Sequence, residues 1–254
     1  MSKEIGIPRF FDLFAAVGVG SKGKKVRLVQ ELLVLRGFHL AIDGVFGAAT
    51  RDAVAKFQEE KGLRVDGIVF EVTFAELMMP FRNVVKVIPV NGRSLGEMVK
   101  AYAEQHLEEH PREVGGQNRG PWVRLYMDGH DGPSWPWCAG FVSFILKQAC
   151  YSMGFKLPFK TSFSCDLLAV NAREKDRFLR GFKVENRKKV TPGSLFLERR
   201  SPTDWVHTGI VIDKDIAKGI FYTIEGNTND DGSHEGYEVC KRTRGFKKKD
   251  FILI

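Results

Sequence analysis

Four residues in the second half of the chain are of types that together can break an amide bond. Cys138 lies in Ser-Trp-Pro-Trp-Cys-Ala-Gly-Phe-Val, His207 opens His-Thr-Gly-Ile-Val-Ile-Asp, and Glu225 and Asn227 close Ile-Glu-Gly-Asn. The nucleophilic form of cysteine is the thiolate. A nearby imidazole takes its proton and later returns one to the leaving group, while a carboxylate or amide on the other ring nitrogen fixes the tautomer. Pro136 disfavours helix upstream of Cys138, and an apolar helical period begins directly after it. Cys138 is therefore expected at a helix N-terminus, where free N–H groups and the helix dipole favour a thiolate. The segment joining the last two runs, residues 213–219, is centred on residue 216. A hairpin symmetric about that point puts His207 directly opposite Glu225, with Asn227 on the same face.

Each of these residues has a plainer reading when taken singly. Cysteine is a common small core residue, and a histidine or glutamate at a strand end is more often solvated than functional. Their joint placement favours catalysis. Cys150 and Cys240 read as core. With gaps of 12, 15 and 75 and no Cys-x-x-Cys pair, the four cysteines suit neither a structural zinc site nor a disulfide framework. Asp128, His130 and Asp131, and separately Asp230-Asp231-Gly232, are of types that bind calcium. They lack EF-hand spacing, and solvated turns are the favoured reading. No metal ligand and no required cofactor is therefore expected. Gln117 or Asn118 is either a loop cap or a second oxyanion donor, and Trp135 and Trp137 either line a groove or pack the core.

The elements that must carry these residues are helical first and extended later. Phe141, Val142, Ile145 and Ala149 share one face of a helix from Cys138 to about Met153. A shorter helix is expected over 97–108, a loop-rich stretch over 115–133, and strands over 193–198, 208–213, 219–225 and 237–242. That order argues an α+β domain around an antiparallel sheet. Residues 21–80 are a separate helical unit. Val26, Val29, Leu32 and Leu33 form one helical stripe that Gly37 terminates, and Ala53, Val54 and Phe57 form another. A short repeat runs through it: Asp43-Gly44 precedes Thr50, and Asp66-Gly67 precedes Thr73, by the same interval. Each copy reads as a tight turn followed by a threonine cap, with Thr73 and Glu76 fitting a capping box. Residues 81–93 read as a linker and 1–20 as an N-terminal extension.

Residues 21–80 resemble the three-helix peptidoglycan-binding domain of wall hydrolases. The resemblance rests on Gly20, Val26, Leu28, Gln30, Gly37, Asp43-Gly44, Phe46-Gly47, Thr50, Ala53-Val54, Phe57-Gln58, Gly62-Leu63 and Val65-Asp66-Gly67. Residues 94–254 resemble the CHAP domain, a papain-like α+β fold of cysteine, histidine-dependent amidohydrolases and peptidases. Here the matching pieces are Gly116–Pro121 with Tyr126, Trp137–Val142, Pro192-Gly193-Ser194, His207–Val211, Glu225-Gly226-Asn227, Arg242 and Arg244. Ser194 stands where that family often has aspartate. The second resemblance implies Cys138 as nucleophile, His207 as general base, and Glu225 and Asn227 as residues that orient the imidazole. Together the two imply a peptidoglycan hydrolase that cuts an amide bond, as an N-acetylmuramoyl-L-alanine amidase or a stem-peptide or cross-bridge endopeptidase.

Composition sets the outer limits. The 254 residues are 43% hydrophobic and 28% charged, as in ordinary globular proteins. Lys and Arg exceed Asp and Glu by 8, a balance that suits anionic wall polymers, anionic lipid or nucleic acid. Lys247-Lys248-Lys249 lacks interleaved aromatics, so nucleic acid is not the expected partner. The polar N-terminus is a poor secretory signal, and no apolar stretch is long enough for membrane insertion. The expectation is a monomer made in the cytoplasm that reaches bacterial peptidoglycan by holin-type release, as phage endolysins do. A toxin delivered by a secretion machine and a non-catalytic wall-binding or phage structural protein are the alternatives.

Overall fold

The structure is a computed structural model that describes residues 11, 16–181, 183–229 and 236–254. The N-terminal unit contains α1 (Lys24–Leu35), α2 (Ala48–Glu60), α3 (Glu71–Leu77) and α4 (Met79–Val84). Val26, Val29, Leu32 and Leu33 of α1 are buried against Val54 and Phe57 of α2 and Phe74 and Leu77 of α3. Gly37 ends α1 as expected. At φ 94° it takes a left-handed conformation, and the amides of Gly37 and Phe38 return to the carbonyls of Val34 and Leu33, a Schellman closure.

The Asp-Gly…Thr repeat is real, but its threonines do not cap helices. The N-caps of α2 and α3 are Gly47 and Phe70, with no side-chain cap bond. Thr50 and Thr73 instead lie inside the first turn and accept from buried glutamines. Gln30 Nε2 reaches Asp43 Oδ1 (2.8 Å), Val45 O (3.1 Å) and Thr50 Oγ1 (3.2 Å), while its Oε1 accepts from the Gly44 amide. Gln58 repeats the pattern with Asp66 (3.0 Å), Ile68 O (2.9 Å), Thr73 (3.1 Å) and the Gly67 amide. Each glutamine welds a turn to the helix after it. The capping box proper is at Ser94 and Glu97: the Ser94 amide donates to Glu97 Oε2 at 2.8 Å, and Ser94 Oγ accepts from the Glu97 amide at 3.3 Å.

That box opens α5 (Leu95–Glu108), which is followed by α6 (Pro121–Tyr126), α7 (Cys138–Met153) and α8 (Cys165–Arg173). Then come β1 (Phe178–Arg180), α9 (Val184–Lys189), β2 (Leu195–Ser201), β3 (Asp204–Asp215), β4 (Ile220–Thr228), β5 (Glu238–Gly245) and β6 (Lys249–Ile252). Among the described residues the six strands form one antiparallel sheet in the order β1-β6-β2-β3-β4-β5. The C-terminal unit is thus α+β as expected, with β1, β6, α6, α8 and α9 added to the anticipated elements. Residues of β2 and β3 alternate between two apolar layers. Leu195, Leu197, Ile210 and Ile212 join the layer that holds α7, and Phe196 and Val211 join Val190, Phe221, Phe246 and Phe251 on the other side. Phe141, Val142, Ile145 and Leu146 of α7 are fully buried, each worth about 1.5–3 kcal/mol relative to exposure. No helix among the described residues is long and apolar enough to cross a membrane.

Residues 81–93, expected as a linker, begin inside α4 and are strapped to α5. The Ile88 amide donates to Tyr102 Oη (3.0 Å), and Gln105 Nε2 donates to the Asn83 carbonyl (2.6 Å). Phe81 stacks on Trp122 of α6 with ring centroids 4.0 Å apart. Glu31 of α1, 1% exposed, accepts from Arg124 of α6 at 2.5 Å and from Arg27 at 3.3 Å. The two units therefore meet through packed rings and a shared buried carboxylate.

Candidate active site

Cys138 is the first residue of α7, as expected, and is 4% exposed. Pro136 keeps the helix from extending back. Trp137, the residue before it, is fully buried, donates from Nε1 to Glu113 Oε1 (2.9 Å) and stacks on Tyr126 at 5.5 Å. The helix start is thereby fixed in the core, and Trp137 is a packing residue. Trp135 is half-buried and stacks on His130 at 4.2 Å.

His207 and Glu225 meet, but not by the expected register. The β3–β4 turn spans residues 216–219, and a bulge at Ile212 shifts the ladder, which pairs Ile210 with Ile224 and Val211 with Thr223. Continued by one residue, that ladder sets Gly209 across from Glu225. A Cβ on Gly209 would lie 2.6 Å from Glu225 Cγ, so the glycine leaves room for the glutamate to lie across β3. Glu225 then reaches His207 two residues along, accepting from Nε2 at 2.8 Å. Both residues are fully buried. Two further groups converge on the carboxylate. Arg244 of β5 donates from Nε to Oε1 (2.8 Å) and from Nη2 to Oε2 (2.6 Å), and Thr223 Oγ1 donates to Oε1 (2.5 Å).

Asn227 does not take the place expected for it. It is the bulge residue between Glu225 and Thr228, with φ 57°, and is 1% exposed. Its amide makes no hydrogen bond to the imidazole, because the bulge breaks the alternation that would have aligned it with Glu225. Asn118 locks its own loop, its amide nitrogen donating to Glu113 and its side chain to the Pro133 carbonyl, whereas Gln117 is exposed. Asp131 is taken up by Arg124 (2.8 Å) and the Gly120 amide, as a turn residue. Residues 230–232 lie outside the described residues. Cys150 is buried as expected, but Cys240 is only half-buried.

The electrostatics of the cluster are coherent. The Cys165 thiol, 3.9 Å from Cys138 Sγ, draws the Cys138 pKa down. Burial opposes this, while His207 and the Thr208 amide add to it, leaving Cys138 well below the ordinary thiol range. Bonding to Cys138 and burial push Cys165 the other way, so it stays a protonated donor. Burial disfavours charge on His207, but Cys138 and Glu225 outweigh it and raise the imidazole to about 9. Burial likewise opposes charge on Glu225, and Arg244 and His207 overcome it, holding the carboxyl at about 2. These shifts favour a thiolate on Cys138 and a proton on His207, whose Nε2 is bound by a carboxylate that Arg244 also binds.

Two of these partners were not legible. Arg244 was matched by family pattern without a role, and its alternation on an edge strand gives no hint of a buried carboxylate. Cys165 carries one local signal, Ser164 before it, which caps α8 by accepting from the Leu167 amide. That two helix N-termini face each other is a tertiary fact.

Among comparisons with known proteins, the family match falls on the other unit. Residues 22–77 match the family described as "Putative peptidoglycan binding domain". A zinc D-Ala-D-Ala carboxypeptidase of Streptomyces albus G is 44% identical over 61 residues, 23% of this chain, and the match spans 24% of that enzyme's length. Among solved structures, the SleB N-terminal domain shares 36% identity over 26% of this chain and 90% of its own, with a TM-score of 0.25. A Burkholderia AP3 phage endolysin shares 26% identity over 42% of this chain and 41% of its own, also with a TM-score of 0.25. Residues 22–77 are thus a peptidoglycan-binding domain by family match, and the cysteine cluster lies outside them.

Proposed function

We propose that this protein hydrolyses an amide bond of bacterial peptidoglycan through Cys138, as a CHAP-type enzyme held on its insoluble substrate by the N-terminal domain. The observation that carries the reading is the cluster itself: a cysteine opening a helix, against a histidine whose other nitrogen is bound to a buried carboxylate at 2.8 Å. The Cys138 thiolate attacks the amide carbonyl, and the Cys138 backbone N–H at the helix N-terminus stabilises the oxyanion. His207, already protonated, delivers its proton to the leaving amine. It then activates the water that cleaves the thioester. Glu225 and Arg244 position the imidazole. Binding to the wall raises the local concentration of scissile bonds, and the basic excess draws the protein to anionic wall polymers. Release from a host through a phage holin is the route that fits an endolysin.

Digestion of purified peptidoglycan by the wild type and by Cys138→Ala, with products read by mass spectrometry, tests this. Fragments from the wild type alone support it, and free stem peptides as against opened cross-links distinguish amidase from endopeptidase. Wall binding by both proteins with no cleavage of several wall chemotypes overturns it.

A further inference from the structure

The hydrolytic mechanism needs one thiol, yet the site holds two. Cys138 and Cys165 are each the first residue of a helix, of 16 and 9 residues, and their sulfurs lie 3.9 Å apart. Both are 7% exposed or less, and His207 and the Thr208 amide flank the Cys138 sulfur. The start of α8 is held in place from both sides. Ser164 caps it, and Asp166 Oδ1 accepts from the Trp205 amide of β3 at 2.7 Å, two residues from His207. The second thiol is thus built into the site and does not drift past it.

We propose that Cys138 and Cys165 are a redox modification site, closing to an intramolecular disulfide when a peroxide oxidises Cys138. In the first step the Cys138 thiolate attacks one peroxide oxygen. An S–O bond forms, the O–O bond breaks, and the departing hydroxide takes the imidazolium proton of His207 to leave as water. In the second step the Cys165 sulfur attacks the sulfenic sulfur: S–S forms, S–O breaks, and the Cys165 proton leaves with the hydroxyl as a second water. Two thiols are oxidised and one peroxide is reduced. The sulfurs must close from 3.9 Å to a bond length of about 2.05 Å. Geometry selects the pair. Cys150 lies in the interior of α7, where burial raises its pKa to about 11, and Cys240 lies on β5. The disulfide removes the nucleophile reversibly and shields it from irreversible oxidation to sulfinic and sulfonic acids.

The test uses the full chain, treated with an equimolar amount of hydrogen peroxide, alkylated after denaturation and mapped by mass spectrometry. The expected result is loss of two of the four thiols, an intact mass lower by two hydrogens, and one cross-linked peptide joining Cys138 to Cys165. Dithiothreitol should reverse all three. Cys165→Ser should yield no bridge and a Cys138 sulfenic acid that dimedone traps. The proposal is overturned if wild-type Cys138 acquires two or three oxygens while Cys165 remains alkylatable. It is equally overturned if neither thiol reacts, or if the bridge joins Cys138 to Cys150 or Cys240. The wild-type map decides these outcomes even if the variant folds poorly, and none depends on peptidoglycan cleavage, so failure here leaves the hydrolase reading standing.

Discussion

The two halves of this molecule bury polar side chains to opposite ends. In the N-terminal domain, Gln30 and Gln58 each join the carboxylate of an Asp-Gly turn, a carbonyl and a threonine in a network that ends on backbone. The amide is used up in holding backbone together. In the C-terminal unit, Glu225 gathers His207, Arg244 and Thr223, and the network carries charge to a sulfur. Burial of polar groups is therefore no mark of a functional site. The mark is a network that ends on a reactive atom whose ionisation it controls.

If that contrast is correct, the two networks respond differently to removal of their central residue. Glu225→Gln keeps the shape but no longer stabilises the imidazolium, and leaves Arg244 facing a neutral amide. We expect peptidoglycan cleavage to fall by about 10³–10⁴-fold, as tautomer-disrupting changes do in triad enzymes, with wall binding unchanged in a pull-down. Equal loss of binding and cleavage would mean that the residue serves only folding.

Gln58→Leu strands the Gly67 amide and the Thr73 hydroxyl among others. Leaving buried groups unpaired costs about 1–3 kcal/mol each, so thermal unfolding should show the N-terminal domain destabilised by about 3 kcal/mol and wall retention reduced. Cleavage of a soluble muropeptide should be unaffected, and a matching loss there would erase the distinction between the halves.

The histidine network also predicts an alkaline pH signature that the glutamine networks, whose titrating groups are the depressed carboxyls of Asp43 and Asp66, lack. His207 is raised to about 9 from its ordinary 6.5, so the stability it contributes is complete below about 6.5 and is lost as pH rises through about 9. Glu225 is depressed to about 2, so its contribution is present above about 4.5 and lost as pH falls through about 2. Cleavage should decline on an alkaline limb near 9, and Glu225→Gln should move that limb toward neutral. An unmoved limb would assign it to another group.

The smallest effect is expected at the repeat threonines. Thr73→Val removes one acceptor of Gln58 and should cost about 1 kcal/mol in urea unfolding, with no change in helicity. A helix that frays from its N-terminus would restore Thr73 to a capping role.

The same contrast governs what could be read from sequence. The α7 boundaries were legible because Pro136 and an unbroken apolar stripe leave no other start, and β2 to β5 because their runs are short and bounded by turn residues; β1 and β6, of three and four residues, were not. The Asp-Gly…Thr repeat was legible as a pattern, but its purpose was not. Gln30 and Gln58 lie 13 and 8 residues before their turns, so no fixed interval ties them to the repeat. The pairing of His207 with Glu225 came through although the register did not. A bulge at Ile212 and a bare Gly209 together redirect the side chain, and neither has a sequence signature. Asn227 was misplaced by a second bulge, and Cys165 and Arg244 come from elements whose approach only tertiary packing sets.

The central claim is that Cys138 rests as a thiolate because His207 and Cys165 hold it so. The direct measurement is the rate of iodoacetamide modification at Cys138, followed by peptide mass spectrometry across pH, in the wild type and in His207→Ala. The account predicts a wild-type rate that stays level through neutral pH and falls only in acid, with the variant's titration moving up toward the free-thiol value of about 8.5. A wild-type Cys138 that itself titrates near about 8.5, unmoved by loss of His207, would contradict it.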